Sequence, residues 1–236
     1  MSNLRTLLSD ASAELGFSYF ALLHHASLRD LSRRYVRIDN YPQGWAAEFI
    51  GSALYRHDPV HRASRRASRA FEWSELGRLT NLGRREKRIL ERSRRFGLGE
   101  GMTVPVNVPG EPGGSCSFAV RRGAELPRQR LQCAELIGFH AFAAARRLLG
   151  ARCLSSTPHL SRRELQCLRL AAAGKTDMEI ALILGISGET ARQYVKRARA
   201  AYDVVSRTQL VVLGLRDDWI SFDEALDPRS LDPSLG

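Results

Sequence analysis

The chain has 236 residues, a formal net charge of +11 and a pI of about 10.2. Its 44% hydrophobic and 26% charged residues are typical of an ordinary soluble globular protein. A balance this basic favours polyanionic partners, although an arginine-rich chain can also spread such charge over a solvated surface. No apolar run approaches ~18 residues, which excludes a membrane-spanning helix. Residues 1–10 are too polar for a signal peptide, so we expect a cytoplasmic protein.

The cysteines and the missing catalytic motifs argue against an enzyme. None of the four cysteines stands at C-x-x-C spacing or beside a histidine cluster, so we interpret them as reduced, mostly buried thiols (Cys116, Cys133, Cys153 and Cys167). The sequence has no nucleophile elbow, phosphate-binding loop or metal-ligand cluster. We therefore expect no catalysis, no metal and no cofactor.

The first elements of the chain alternate between helix and strand. Apolar residues at helical spacing begin the chain, and Gly16 ends this helix. Strands are predicted at residues 17–23, which are rich in aromatics, and at residues 34–38. A helix is predicted from Tyr41-Pro42 to about residue 55, because proline suits the first helical position.

A basic stretch and a hairpin follow. Residues 62–95 contain 12 lysines and arginines against 4 glutamates and are predicted to be largely helical. Strands at residues 102–108 and 115–121 flank a turn rich in proline and glycine. Residues 131–149 form a long amphipathic helix that is a candidate for dimerisation, with packing on its own sheet as the alternative. The side proposed for dimerisation carries Leu136, Phe139, Phe142 and Ala143.

This order of elements predicts an α+β protein of two domains. Residues 1–150 would form an α/β/α sandwich that binds a ligand and dimerises. Residues 151–159 are short, polar and proline-containing, which is typical of a linker. Residues 160–220 are predicted to be an all-α helix-turn-helix domain, and residues 221–236 an acidic tail. The helical segment 160–216 carries a net charge of only +5, so most of the surplus positive charge lies before it.

The C-terminal helices carry strong start signals. Ser161 with Glu164, and Thr176 with Glu179, have the spacing of capping boxes that each open an apolar helix. A tight turn containing glycine then precedes Ser187, which can cap a third helix. Helix, short turn and helix is the signature of a helix-turn-helix.

The third helix has one apolar and one cationic face. Ala191, Val195, Ala198 and Tyr202 share the face predicted to be buried. A major groove admits a helix whose long cationic and amide side chains reach base edges and phosphates. The alternative is a solvated helix face. We predict DNA contacts by Thr190, Arg192, Gln193, Lys196, Arg197 and Arg199.

Several short motifs in this segment resemble the LuxR-type helix-turn-helix domain. They are L-S-x-R-E at 160–164, A-x-G-K-T at 172–176, E-I-A-x-x-L at 179–184 and I-S-x-x-T at 186–190. The resemblance implies that positions 192 and 196 face the bases. The chain departs from the family pattern at Ala191, Tyr194 and Ala201-Tyr202, where the family usually has Val, His and Lys-Leu.

The N-terminal segment contains donors and an acceptor suited to an amide ligand. Tyr41, Trp45 and Phe49 share one helical face, a stripe that is also common in plain cores. Buried Tyr and Trp need partners for their donors, and a buried Asp58 needs a donor. The motifs N-Y-P-x-x-W-x-x-x-F, D-P-V at 58–60 and F-E-W at 71–73 resemble the autoinducer-binding domain of acyl-homoserine-lactone receptors.

That resemblance implies a role for each residue. Trp45 would donate to the lactone carbonyl, Tyr41 to the acyl carbonyl, and Asp58 would accept the amide N–H. Trp73 would pack on the lactone ring, and hydroxyls at Ser115 and Ser117 could serve an acyl substituent. Phe49 stands where the family usually has Tyr. For Asp58, the alternative is a helix cap or an ion pair with nearby arginines.

We therefore predict a homodimeric, ligand-responsive transcription factor that binds a palindromic double-stranded DNA operator. The ligand would be an N-acyl or aryl homoserine lactone, and RNA polymerase is left open as a further partner. One alternative is a solo regulator of the same family that responds to another molecule or to none. The others are an enzyme with a DNA-targeting tail and a nonspecific basic nucleic-acid coat protein.

Overall fold

The computed structural model describes residues 1–25, 35–108, 111–149 and 157–226. The chain divides into two compact units, Met1–Cys153 and Leu154–Gly236. Most of the predicted linker (151–159) and of the predicted acidic tail (221–236) lies outside the described residues. In the part that is described, no helix is both long and apolar enough to cross a membrane.

A five-stranded antiparallel sheet forms the middle of the N-terminal unit. The order of its strands is β2-β1-β5-β4-β3. The predicted hairpin is present, with Val106 opposite Gly114, but its first strand begins earlier and contains an irregularity between Leu98 and Gly101. The strands are β1 Tyr19–His24, β2 Arg37–Asp39, β3 Phe71–Glu72, β4 Leu98–Val106 and β5 Gly114–Arg121.

Helices cover both faces of this sheet, as an α/β/α sandwich requires. The first and the last helix pack on one face, where alternate residues of β5 (Cys116, Phe118 and Val120) join the main hydrophobic core. The third and fifth helices pack on the opposite face. The six helices are α1 Ser2–Glu14, α2 Gln43–Gly51, α3 Pro59–Ser64, α4 Leu76–Leu79, α5 Arg84–Arg95 and α6 Leu131–Leu148.

Helix α6 differs from the sequence prediction in which side chains it exposes. Leu136 is 62% and Phe139 54% exposed, as expected for one free side, but Phe142 is fully buried. Phe142 packs where Gly114 has no side chain, because a Cβ there would lie 2.2 Å from its ring. Grouping Phe142 with the exposed side was therefore wrong, since a long-range contact with β5 decides its direction.

In the described part of the C-terminal unit, residues 157–226, all regular secondary structure is helical. Ser161, Thr176 and Ser187 cap their helices through their side chains, and the first two form the predicted capping boxes. Gly185 makes the turn in the left-handed region, with φ +63°. The core is apolar, with Leu168, Ile180 and Leu210 fully buried. The helices are α7 Arg162–Ala172, α8 Asp177–Leu184, α9 Gly188–Ala201, α10 Arg207–Arg216 and α11 Phe222–Leu226.

The cysteine prediction holds for two of the three described thiols. Cys116 and Cys167 are buried and free, whereas Cys133 is free but exposed on α6. Cys153 lies outside the described residues. Burial raises the pKa of the Cys116 thiol, which keeps it protonated and unreactive.

Candidate functional site

A cavity lies between the sheet and the helices α2, α3 and α5. The centre of a water-sized sphere can reach about 80 Å³ of it. All seven residues predicted to bind a ligand line this cavity, although they come from distant parts of the chain: Tyr41, Trp45, Phe49, Asp58, Trp73, Ser115 and Ser117. The fold thus collects the predicted side chains around one space.

Helix α2 supplies the aromatic wall. Trp45 and Phe49 lie one turn apart, and their ring centroids are 5.4 Å from each other. Trp45 also packs against the ring of Phe96. That ring lies over Gly44, where a Cβ would be 2.7 Å from the nearest Phe96 ring carbon. The Trp45 indole N–H has no protein hydrogen-bond partner among the described residues. It is therefore available to a ligand.

Asp58 is both a helix cap and part of the cavity wall. Its carboxylate oxygens accept the backbone N–H of Val60 at 3.4 Å and of His61 at 3.3 Å, which begins α3. Burial raises the pKa of Asp58, and the nearby His61 partly offsets this. The cap that the sequence offered as an alternative is real, and it coexists with exposure of the carboxylate to the cavity.

A chain of hydroxyl groups runs across the cavity floor. The Trp73 indole N–H donates to Thr103 Oγ1 at 2.9 Å, and Thr103 Oγ1 is 2.8 Å from Ser117 Oγ. The Tyr41 phenol lies near Ser117, and burial raises the pKa of that phenol. Trp73 packs directly over Gly101, where a Cβ would come within 3.0 Å of its ring. These contacts fix the aromatic and hydroxyl groups before any ligand arrives.

Two buried histidines also belong to this site, and the sequence analysis missed them. His61 lines the cavity, and its Nε2 lies 3.4 Å from Asp58 Oδ2. Its ring stacks on that of His25, with centroids 4.1 Å apart, and His25 Nε2 is 2.9 Å from Ser115 Oγ. The position of His61 three residues after Asp58 is the one sequence signal that could have indicated this contact.

The rest of the lining is mostly apolar, with one charged pair. Arg37 and Asp39 lie on the edge strand β2, with Arg37 Nε 4.0 Å from Asp39 Oδ2. The walls between them and the polar centre are aliphatic, with Leu23, Ile50 and Leu98. An apolar cavity with a few convergent polar groups suits a small organic molecule. Among the described residues, no group of His, Cys, Asp and Glu could hold a metal ion.

Helix α9 carries the predicted DNA-facing residues. Ala191, Val195 and Ala198 are buried on its inner side, as the spacing predicts. The outer side exposes a contiguous polar set: Arg192, Gln193, Lys196 and Arg197. Glu189 receives hydrogen bonds from both Arg192 and Gln193, at 3.2 and 3.0 Å, which orients these side chains.

The other two predicted DNA contacts have local roles in this structure. Thr190 Oγ1 is 2.7 Å from Ser187 Oγ at the start of α9. Arg199 is half-buried and donates to the Val205 carbonyl at 2.6 Å, which ties down the loop after the helix. The exposed set at positions 192, 193, 196 and 197 is thus the part of the helix free to meet a partner.

Sequence profiles of known families match both units. The Autoinducer binding domain matches residues 1–148, and the family of bacterial regulatory proteins of the luxR type matches residues 158–213. The chain belongs to the LuxR family. This family consists of transcriptional regulators and not of enzymes, so the LuxR-type chain described here is a regulator with an autoinducer-binding and a DNA-binding domain.

Several relatives share this architecture. The transcriptional activator BjaR1 of Bradyrhizobium diazoefficiens is 30% identical over 77% of this chain and 74% of its own length. The activator TraR of Agrobacterium vitis is 27% identical over 90% of both chains. The HTH-type regulator y4qH of Sinorhizobium fredii is 27% identical over 78% of this chain, which spans 56% of that relative's length.

Solved structures agree on the fold. The crystal structure of Escherichia coli SdiA has a TM-score of 0.64 to this chain at 23% identity and covers 93% of this chain and 92% of its own. A second structure, of SdiA in complex with octanoyl-rac-glycerol, has a TM-score of 0.62 at 22% identity, covering 91% of this chain and 87% of its own. The predicted two-domain fold is thereby confirmed.

Proposed function

We propose that this regulator binds an N-acyl or aryl homoserine lactone in the cavity and responds by binding a palindromic DNA operator. The observation that carries the proposal is the meeting of Trp45, Tyr41 and Asp58 around one space. An indole N–H, a phenol and a buried carboxylate match two carbonyl acceptors and one amide N–H. This is the set of polar groups that an acyl-homoserine lactone presents.

Each group has a defined task in the proposed complex. The Trp45 N–H, which has no protein partner among the described residues, donates to the lactone carbonyl. Asp58 accepts the amide N–H, and the Tyr41 phenol donates to the acyl carbonyl. The lactone ring packs on Trp73, whose own N–H is already used by Thr103. The acyl group extends past Phe49, with Ser115 and Ser117 beside it.

The test is thermal melting with butanoyl-, hexanoyl-, octanoyl-, dodecanoyl- and aryl-homoserine lactones. A ligand at about 100 times its Kd adds about 2.7 kcal/mol of stability, or a rise of roughly 5 to 10 °C in a unit of this size. We expect a rise that depends on the acyl group. It should be lost in Asp58→Asn, because the amide side chain does not reproduce the charged acceptor.

The variants separate binding from folding. Asn is as good an N-cap as Asp, so Asp58→Asn should keep α3 and melt near the wild type without ligand. Trp45→Phe keeps the ring and removes only the N–H donor. Asp10→Asn, on the exposed side of α1, is the matched control. A full rise in Asp58→Asn would contradict the proposed ligand geometry.

A solo regulator of the same family remains the second candidate function. It is favoured by Phe49, which lacks the hydroxyl usual in the family, and by His61 in the cavity wall, with His25 stacked on it. Octanoyl glycerol belongs in the same panel, because a structure of SdiA contains octanoyl-rac-glycerol. A rise with this molecule and with none of the lactones would favour the solo regulator.

DNA recognition is assigned to the exposed side of α9. We propose that Arg192 and Lys196 face the bases, with Gln193 and Arg197 beside them and Thr190 and Arg199 at the margin. With an operator selected from random DNA, Arg192→Ala should cost about 1–3 kcal/mol on the selected site and relax its sequence preference. Arg163→Ala, an exposed arginine on α7, is the control. Equal losses on selected and random DNA would favour a nonspecific coat protein.

The proposed regulator is a cytoplasmic homodimer, with RNA polymerase as a further partner. Leu136 and Phe139 are exposed on α6 and form an apolar patch that a second copy could cover symmetrically. Phe139→Glu should shift the protein towards monomer in light scattering and weaken operator binding. An unchanged dimer would place the interface elsewhere.

A further inference from the structure

His61 is tied to Asp58 and to two other partners. Its Nε2 lies 3.4 Å from Asp58 Oδ2, and its imidazole also hydrogen-bonds the backbone carbonyl of Tyr55. The ring is stacked on His25 on one side, and Phe49 meets it edge-on at 5.6 Å. Asp58 and His61 are each about 8% exposed, so these contacts are largely shielded from bulk solvent.

The contact between His61 and Asp58 determines how many protons the two side chains hold together. A neutral imidazole carries a single N–H, and the Tyr55 carbonyl requires a donor. When the imidazole carries a proton on each nitrogen, the contact at 3.4 Å between His61 Nε2 and Asp58 Oδ2 becomes an ion pair. Two buried groups at this distance titrate as a pair, because each changes the charge that the other experiences.

The surrounding groups set the balance within the pair. Arg62 lies on α3 and Arg65 follows its last residue. His25 follows β1, and the Tyr41 phenol faces Asp58 from just before α2. Burial raises the pKa of Asp58 and lowers that of His61, and the attraction between them opposes both changes. Removing His61 would therefore raise the pKa of Asp58 further.

We propose that His61 is a positioning residue for the ligand, because it holds the Asp58 carboxylate ionised and oriented to accept the ligand's amide N–H. The inference rests on the proposed ligand role of Asp58. Without His61, the Asp58 carboxyl stays protonated up to a higher pH. It must lose that proton before both of its oxygens can accept the amide N–H of the ligand. Ligand affinity then falls as the pH is lowered, and in the variant it begins to fall at a higher pH.

The test is the affinity for the lactone with the largest stabilisation, measured between pH 8 and pH 5.5 by calorimetry. His61→Gln removes the titrating ring and keeps an amide near the position of Nε2, beside Asp58. We expect affinity close to wild type at pH 8 and a steeper fall below it, limited to about tenfold per pH unit for one proton. His61→Asn is the second variant, and the exposed His140→Gln on α6 is the control.

The outcome that overturns the inference is a ratio of affinities between His61→Gln and wild type that stays constant with pH. A shift of the profile with little change at pH 8 supports it, because a purely structural defect would weaken binding at every pH.

Failure of the proposed ligand is distinguished by a measurement without ligand. The melting temperature is followed against pH in wild type, His61→Gln, Asp58→Asn and the double variant. If the pH-dependent effect of His61→Gln disappears in the Asp58→Asn background, the proton-sharing pair stands even where no lactone binds. Additive effects at every pH would overturn the pair, even where a lactone binds.

Discussion

The N-terminal and C-terminal units differ in what their interiors contain. Among the described residues, every polar or charged residue that is buried as a whole belongs to the N-terminal unit, including His25, Asp58, His61 and Thr103. The described residues of the C-terminal unit that are buried as a whole are apolar, and the carboxylate of Asp217, which is hidden from solvent, is paired with Arg216. Burying polar groups costs stability unless they are paired, so they are retained where a cavity needs them. The N-terminal unit therefore combines a hydrophobic core with a polar cavity, whereas the interior of the C-terminal unit is mainly a hydrophobic core.

The two units also begin their helices differently. In the C-terminal unit Ser161, Thr176, Ser187 and Ser206 each cap a helix with a side chain. In the N-terminal unit α1, α2, α5 and α6 start without such a cap, and α3 has its cap from the cavity residue Asp58. Local signals therefore specify the C-terminal helices, whereas packing on the sheet specifies most of the others.

The largest expected effect is a loss of stability of the N-terminal unit that leaves the stability of the C-terminal unit unchanged. Phe142→Ala removes a fully buried ring from the N-terminal core and should cost about 3–5 kcal/mol of that unit's free energy of unfolding. Calorimetry should show a lowered N-terminal transition and an unchanged C-terminal one. Leu136→Ala, on the exposed side of the same helix, should stay within about 0.5 kcal/mol. An equal drop in both transitions would mean that the units unfold together.

The next largest expected effect is a loss of stability of the N-terminal unit in acid, with little change in the C-terminal unit. Burial lowers the pKa of His24, His25 and His61, so the unfolded chain binds more protons than the folded unit below pH 6.5. Stability is then lost as the pH falls through 6.5, by up to about 1.4 kcal/mol per pH unit for each proton. The raised pKa of Asp58 acts in the opposite direction.

The measurement is the melting temperature of each unit between pH 7.5 and 5.5. We expect the N-terminal transition to move down and the C-terminal one to stay, because the described C-terminal residues include just one histidine, His159, and it is exposed. His25→Gln should flatten the N-terminal response. Parallel shifts in both units would contradict the assignment to buried imidazoles.

The smallest expected effect tests the caps. Thr176→Ala removes the side chain that accepts the Glu179 N–H and should cost the C-terminal unit about 1 kcal/mol, or roughly 4–8 °C in its melting temperature. Thr208→Ala, an exposed threonine inside α10, is the control, because helix interiors favour alanine. A cap variant that lowers only the N-terminal transition would refute the contrast.

The same difference explains which features the sequence could predict. Ser161, Thr176 and Gly185 are read from three or four neighbours, and the structure has the helices where these signals predict them. The strand predicted at 34–38 instead lies at Arg37–Asp39, and the side of α6 that buries Phe142 was misjudged. Both depend on partners far along the chain, because Ile38 pairs with Leu22 and Phe142 packs on Gly114.

The candidate site was accessible from the sequence only in part. The aromatic spacing of α2 indicated one face, and the family resemblance supplied Asp58, Trp73 and the serines. The hydroxyl chain through Thr103 and the stacked pair of His25 and His61 were not accessible, because sheet register and the approach of α3 bring them together. A short motif cannot encode contacts between residues that are dozens of positions apart.

Strand β5 keeps two sets of residues apart by simple alternation. Ser115 and Ser117 line the cavity, while Cys116, Phe118 and Val120 enter the core beneath α6. Mutations at the odd positions can therefore change the lining of the cavity while the even positions continue to hold the fold. Single substitutions on this strand can therefore alter the shape and polarity of the cavity without compensating changes in the core.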